Sequence, residues 1–434
     1  MDPCTVGILG IAALLAVLFL FKIPVGFAMA LVGFAGFAWV VSPTAAISSA
    51  GNAVWQTFSS YGLAVIPFFI FMGNICFQAG VSNRLYNTAH AWIGHIRGGI
   101  AMATIMACAG FAAICGSNAA TAATMSAVAL PEMKKLGYRD CLNTGAVASG
   151  ATLGVIIPPS VVLIVIGLST GESIAKLFFA ALLPGLILSA SLLVTVFAIC
   201  RIHPEWGPSS PRTSFRQKLA SLPGSVEMLI LFCLVMAGLY LGWFTPTEAG
   251  AAGAFFSLTI AIAGRNITWK KFAAAMKDTV HTSSMILIIV AGAVIFGKFL
   301  TITRLPYETA DWVAGLPVPR SVILMMMLAI YIFGGAIMDA LGLLMITIPI
   351  FFPVAEKLGY NPLWFAVIIT IITSMGAITP PVGINTYIVA GMAGDVPLSS
   401  VFRGVTYFLG AFAACIALML LFPSLATMLP ELLR

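Results

Sequence analysis

The sequence predicts an all-α polytopic membrane protein, built as an inverted repeat of two halves with five crossings and one re-entrant helical hairpin each. Three observations predict it. The composition is nearly free of charge, the apolar runs have bilayer length, and the second half repeats the first at a fixed offset.

Of 434 residues, 61% are hydrophobic and 8% charged, with a mean hydropathy of +1.08. A soluble domain carries about a quarter charged residues. So few charges cannot cover a water-soluble surface, so membrane lipid must be the solvent for most of it. The formal charge of +7 comes from basic residues in ones and twos between apolar runs. They are topology signals, not a nucleic-acid patch. The eight cysteines contain no CxxC pair and the four histidines no HExxH pattern. Neither set suggests a metal site, and the cysteines read as small apolar side chains. No Walker A or GxGxxG motif points to ATP drive or to a nucleotide cofactor. Asp2 stands where a signal peptide would be basic, so the first apolar run is expected to be a retained span.

A crossing needs ~20 apolar residues. Suitable runs cover 4–21, 24–41, 61–80, 142–168, 174–200, 226–243, 248–264, 282–301, 362–391 and 402–422. Two further apolar stretches are interrupted by polar or glycine residues. One is 98–131, broken at Gly116-Ser117-Asn118; the other is 321–353, broken at Gly334-Gly335 and Asp339. Each reads as a hairpin that dips in and returns, tolerated where protein or water covers its tip. With the N-terminus outside, 15 of the 21 Lys and Arg fall inside, and Lys176, Lys298, Arg304, Arg320, Lys357 and Arg434 fall outside. That bias follows the positive-inside rule.

The polar segment 201–224 divides a first repeat, 1–200, from a second, 225–434. At an offset of 222, Pro24 meets Pro246, Lys135-Leu136-Gly137-Tyr138 meets Lys357-Leu358-Gly359-Tyr360, Gly154 meets Gly376, and Pro158-Pro159 meets Pro380-Pro381. An odd number of crossings per half turns the second upside down, the construction of many secondary transporters.

Paired interrupted segments point to the binding site of such a protein. Here they are Thr152 to Ser160, within span 142–168, and Ser374 to Gly383, within span 362–391. Consecutive prolines remove two backbone donors, and the nearby glycines let the chain leave helical geometry. The freed carbonyls suit a cation, and the following half-helix offers its positive end to an anion. The plain alternative is a kink that only shapes packing. Asn118 on the first tip and Asp339 on the second are costly in a membrane without a function. Asp339 also suits the N-cap of the returning helix.

At these motifs the chain resembles the large membrane subunit of tripartite ATP-independent periplasmic (TRAP) transporters, the DctM-type M subunit. The resemblance rests on Ile66-Pro67-Phe68-Phe69, Met72-Gly73-Asn74, Gly116 to Thr121, Gly154 to Ser160, Phe244 to Ala251 and Ile378 to Gly383. It implies an elevator-type transporter of a bacterial inner membrane, coupled to sodium and carrying an organic acid anion. It implies two partners, a small four-helix Q subunit and a soluble periplasmic P protein that delivers the substrate. The implied sodium ligands are Ser117, Asn118 and Gly154 at one site, and Gly335, Asp339, Gly376 and Thr379 at the other. Candidate substrate contacts on the same tips and breaks are Asn118, Thr121, Thr152, Pro159, Ser374 and Pro381. The chain departs from the usual family pattern at Ile372-Thr373-Ser374-Met375. A channel is the rival reading, and no nucleophile-and-base set supports an enzyme.

Overall fold

The computed structural model describes residues 2–432; Arg434, used above for topology, lies outside them. The described residues form 21 α-helices and three short 3-10 turns, with no strand. Seven helices are long and apolar enough to cross a membrane: Pro3–Phe21, Ile174–Ile202, Pro223–Tyr240, Trp269–Ile302, Arg320–Ile337, Ala340–Lys357 and Leu398–Leu421. Large apolar side chains such as Phe21, Trp39, Trp55, Trp243 and Phe333 are exposed on the outer surface, as a lipid solvent requires.

The first hairpin is Gly99–Cys115 followed by Asn118–Lys135. Gly116, at φ 63°, takes the left-handed conformation that ends the first arm. Ser117 is extended and starts the second arm, its side chain accepting from the Ala120 amide. The second hairpin is Arg320–Ile337 followed by Ala340–Lys357, with Asp339 as the cap. Length alone would let these two arms cross. Their turn instead meets the middle of a broken span: a Cβ on Gly335 would lie 2.8 Å from the Thr373 carbonyl oxygen.

The interrupted spans are each two helices. Asp140–Ala151 passes through a 3-10 turn, Thr152–Val155, and the buried Pro158-Pro159 to Val161–Thr170. Pro362–Gly376 passes through the exposed Pro380-Pro381 to Ile384–Ala393. Both Pro-Pro bonds are cis. The offset of 222 carries Asn118–Lys135 onto Ala340–Lys357, and Ser117 onto Asp339.

Three features differ from the span reading. The run 61–80 is the second part of a bent pair, Pro43–Phe58 with Gly62–Gln78, turned by 54°. Its counterpart is one 34-residue helix, Trp269–Ile302, longer than the expected 282–301. Pro43–Phe58, Val81–Ile93 and Leu305–Ala314 are helices outside every expected span; Val81–Ile93 is too polar to register as an apolar run. The 201–224 segment is docked rather than loose. Gly98 donates to the Gly207 carbonyl at 2.8 Å, Arg139 to Trp206 at 3.0 Å and Ser210 to Gly94 at 2.9 Å. Trp206 is buried beneath the Arg139 guanidinium, 4.5 Å from its ring centre.

Candidate functional site

Both tips and both breaks meet around one cavity of about 330 Å³. The first tip contributes Gly116 to Ala120, the second Asp339 to Leu341. The breaks contribute Val155, Val161, Ala377, Ile384 and Asn385, and the far wall is Ile70 and Asn74 with Thr282 to Ile289 of Trp269–Ile302. Two larger clefts, of about 540 and 1040 Å³, do not reach both tips.

Each tip is pressed against a glycine of its broken span. A Cβ on Gly154 would lie 2.5 Å from the Ser117 carbonyl oxygen and 2.8 Å from Thr121 Oγ1. A Cβ on Gly376 would lie 2.7 Å from the Gly335 Cα. Real Cβ contacts are never so short, so only glycine lets these backbones approach. Ser117, Asn118 and Gly154 are thus neighbours, and so are Gly335 and Gly376. Thr379 donates to the Met375 carbonyl at 2.7 Å, on the turn that follows Gly376. Asp339 accepts from the Leu341 amide at 3.1 Å and is exposed where it opens onto the cavity. It caps a helix and walls the cavity at once.

The candidate substrate contacts divide. Asn118 lines the cavity, and its Oδ1 is buried with no hydrogen-bond partner. Thr121, Thr152 and Ser374 do not line it. Their hydroxyls donate within their own helices or turns, to Ser117, Ser149 and Thr370. Pro159 is buried behind the first tip and Pro381 is exposed away from the cavity. Asn74, Thr282 and Asn385 also line the cavity; Asn74 stood in a resemblance motif but not among the site residues, and Thr282 and Asn385 were not singled out from sequence. The signal was available: an amide inside an apolar helix is as costly at Asn385, 1% exposed, as at Asn118.

Four helices begin at this cavity: Asn118–Lys135, Ala340–Lys357, Val161–Thr170 and Ile384–Ala393. Their N-termini give it a positive field, and Asp339 supplies one negative charge.

Membrane-length helices, paired hairpins and spans broken at a shared cavity define a polytopic membrane protein of transporter construction. Residues 12–425 match the family described as "Tripartite ATP-independent periplasmic transporter, DctM component", and the chain belongs to that family, one of transporter permeases and not of enzymes. It is 33% identical over 386 residues to the C4-dicarboxylate TRAP transporter large permease protein DctM of Pseudomonas aeruginosa, covering 89% of this chain and 90% of that one. It is 30% identical to the sialic acid TRAP transporter large permease protein SiaM of Vibrio cholerae, covering 94% and 95%. Against the isethionate TRAP transporter permease protein DctMQ of Oleidesulfovibrio alaskensis it is 32% identical, covering 80% of this chain and 55% of that one. The fold is similar to a crystal structure of the Alcanivorax borkumensis YdaH transporter, with a TM-score of 0.64 at 14% identity, covering 87% of this chain and 89% of that one.

Proposed function

We propose that this chain is the translocating subunit of a sodium-coupled importer of the bacterial inner membrane. It takes a small organic acid anion from a periplasmic binding protein and works beside a small membrane subunit. The observation that carries the reading is the shared cavity, where four helix N-termini, unpaired amides and a single carboxylate suit an anion and a hard cation together. The combined MQ relative supports the small subunit, and relatives named for dicarboxylate, sialic acid and isethionate all act on organic anions. In this reading the halves are inverted, and the hairpins and broken spans move as one body against the remaining helices.

Reconstitution in proteoliposomes tests it. The complete set is expected to accumulate substrate against a gradient only with an inward sodium gradient, and this chain alone to fall far below that rate. Flux without accumulation would mean a channel. Two sodium ions per monovalent anion carry one net charge, worth ~2.3 kcal/mol at 100 mV and roughly fortyfold accumulation. An imposed potassium-valinomycin potential is therefore expected to raise uptake. Cysteine labelling is expected to find positions 205–220 cytoplasmic and Glu308 periplasmic; both on one side would refute the inversion.

A further inference from the structure

Three of the four helices that begin at the cavity are already capped by a side chain. Ser117 accepts from the Ala120 amide, Ser160 from Leu163 and Asp339 from Leu341. The fourth, Ile384–Ala393, begins at Gly383, at φ 60°, and no side chain caps its first turn. A glycine there has no side-chain oxygen to offer; the Asn385 backbone amide donates to the Ala377 carbonyl at 3.0 Å, and the rest of this N-terminus keeps its positive end for something else. Asn385 lies in that first turn and lines the cavity. It is 1% exposed, and its Nδ2 has no hydrogen-bond partner. A buried amide donor without an acceptor is costly, so a native one calls for an explanation. An acceptor bound in the cavity supplies it.

Building on the transport reading above, we propose that the substrate's single carboxylate sits at the N-terminus of helix Ile384–Ala393, with Asn385 as the side-chain donor. The site then selects small monocarboxylates with a mainly apolar body, against dicarboxylates.

The rest of the wall offers no second charged seat, only the Asn118 amide and the Thr282 hydroxyl. Among the described residues no Lys, Arg or His lines the cavity, so a carboxylate must be held by amides and helix ends. At each of the other three helix ends a first-turn amide is taken by a side-chain cap, and one of those caps is the Asp339 carboxylate, which repels an anion. Asn74 is engaged with Thr279, its Nδ2 donating to Oγ1 at 2.9 Å. Opposite the tips stand Ile70, Met285, Ile286 and Ile289, with Val155 and Val162 beside them. A second carboxylate would be desolvated against these side chains with no cationic side chain to pair it, only a neutral amide and a hydroxyl. The volume of about 330 Å³ lies at the small end of ligand sites, ~300–1,000 Å³. The repeat makes the same point. At the offset of 222, Leu163 occupies the position of Asn385, so the donor exists in only one half.

The test is ligand-induced thermal stabilisation of this chain, purified with its small subunit and without the binding protein, at saturating sodium. The probes are pyruvate, 3-methyl-2-oxobutanoate and succinate. Saturable stabilisation by the two monocarboxylates at concentrations at least tenfold below succinate is expected. In Asn385→Ala the half-effect concentration of the monocarboxylates rises about tenfold, the ~1.4 kcal/mol of one hydrogen bond to a charged group. Asn385→Asp, which keeps the shape and adds a charge, weakens them further. The sodium concentration for half-maximal stabilisation, read without anion, stays unchanged in Asn385→Ala and shows that it is folded. Succinate binding as tightly as the monocarboxylates, or wild-type monocarboxylate affinity in both variants, overturns the proposal while sodium-driven uptake by the complete set still stands. Absence of any sodium effect on stability or uptake in the wild type removes the transport reading itself.

Discussion

Asp339 combines two roles that mutation separates. Asn caps a helix about as well as Asp, so Asp339→Asn preserves the Leu341 bond and removes only the charge. Both Asp339→Asn and Asp339→Ala are expected to raise the sodium concentration for half-maximal uptake, and wild-type sodium dependence in both would reduce Asp339 to a cap. Gly154→Ala places a methyl group 2.5 Å from a backbone oxygen of the first tip. Sodium-dependent uptake should fall at least tenfold, because backbone cannot swing aside as a side chain can. Gly410→Ala, where nothing lies within 4 Å, serves as the neutral control. Asn118 and Asp339 were legible in the sequence because polar atoms at membrane depth are expensive wherever they stand. Thr121, Thr152 and Ser374 are also polar and deep. A hydroxyl, however, can donate back to a carbonyl of its own helix or turn, as all three do, and sequence cannot say which choice is made. Asn385 was missed because it lies four residues past the proline break, where its helical phase was unknown.

At the scale of elements, the tips and breaks were readable because Gly, Pro and caps act locally. The amphipathic helix Val81–Ile93 and the docking of the linker were not, because both depend on partners distant in sequence. His90, on that helix, meets Ser210 of the linker, Nε2 to Oγ at 3.1 Å. Burial holds His90 below its ordinary value of 6.5, against a smaller opposing pull from Glu132. The folded state therefore binds this proton less readily than the unfolded one. Its contribution is complete above the unfolded value and declines as pH falls through the window beneath it. Protection of 205–214 against hydrogen exchange, taken relative to the intrinsic rate at each pH, is expected to be lower at pH 5.5 than at pH 7.5, and His90→Gln to remove that difference. An unchanged pH response in the variant would assign the effect elsewhere.

At the scale of the molecule, two ion pairs report on the boundary between the proposed moving body and the rest. Lys134 and Asp395, 3.2 Å apart, join the end of Asn118–Lys135 to the segment after Ile384–Ala393. Lys357, at the end of Ala340–Lys357, pairs with Asp311 on Leu305–Ala314. If the hairpins and broken spans travel together, the first pair rides along and the second must part. A short thiol crosslinker across Asp311→Cys and Lys357→Cys is expected to stop uptake. The same reagent across Lys134→Cys and Asp395→Cys should leave most of it, and equal inhibition by both would argue against a common moving body. The 54° bend between Pro43–Phe58 and Gly62–Gln78 has no equivalent in the unbroken Trp269–Ile302. Two identical halves in opposite orientation would relate the forms open to either side by a two-fold rotation and give them equal free energy. A hinge on one side and a rod on the other removes that equality. Under the proposed function the empty carrier idles unevenly, and its bias sets what fraction of the molecules stands ready when a loaded binding protein arrives.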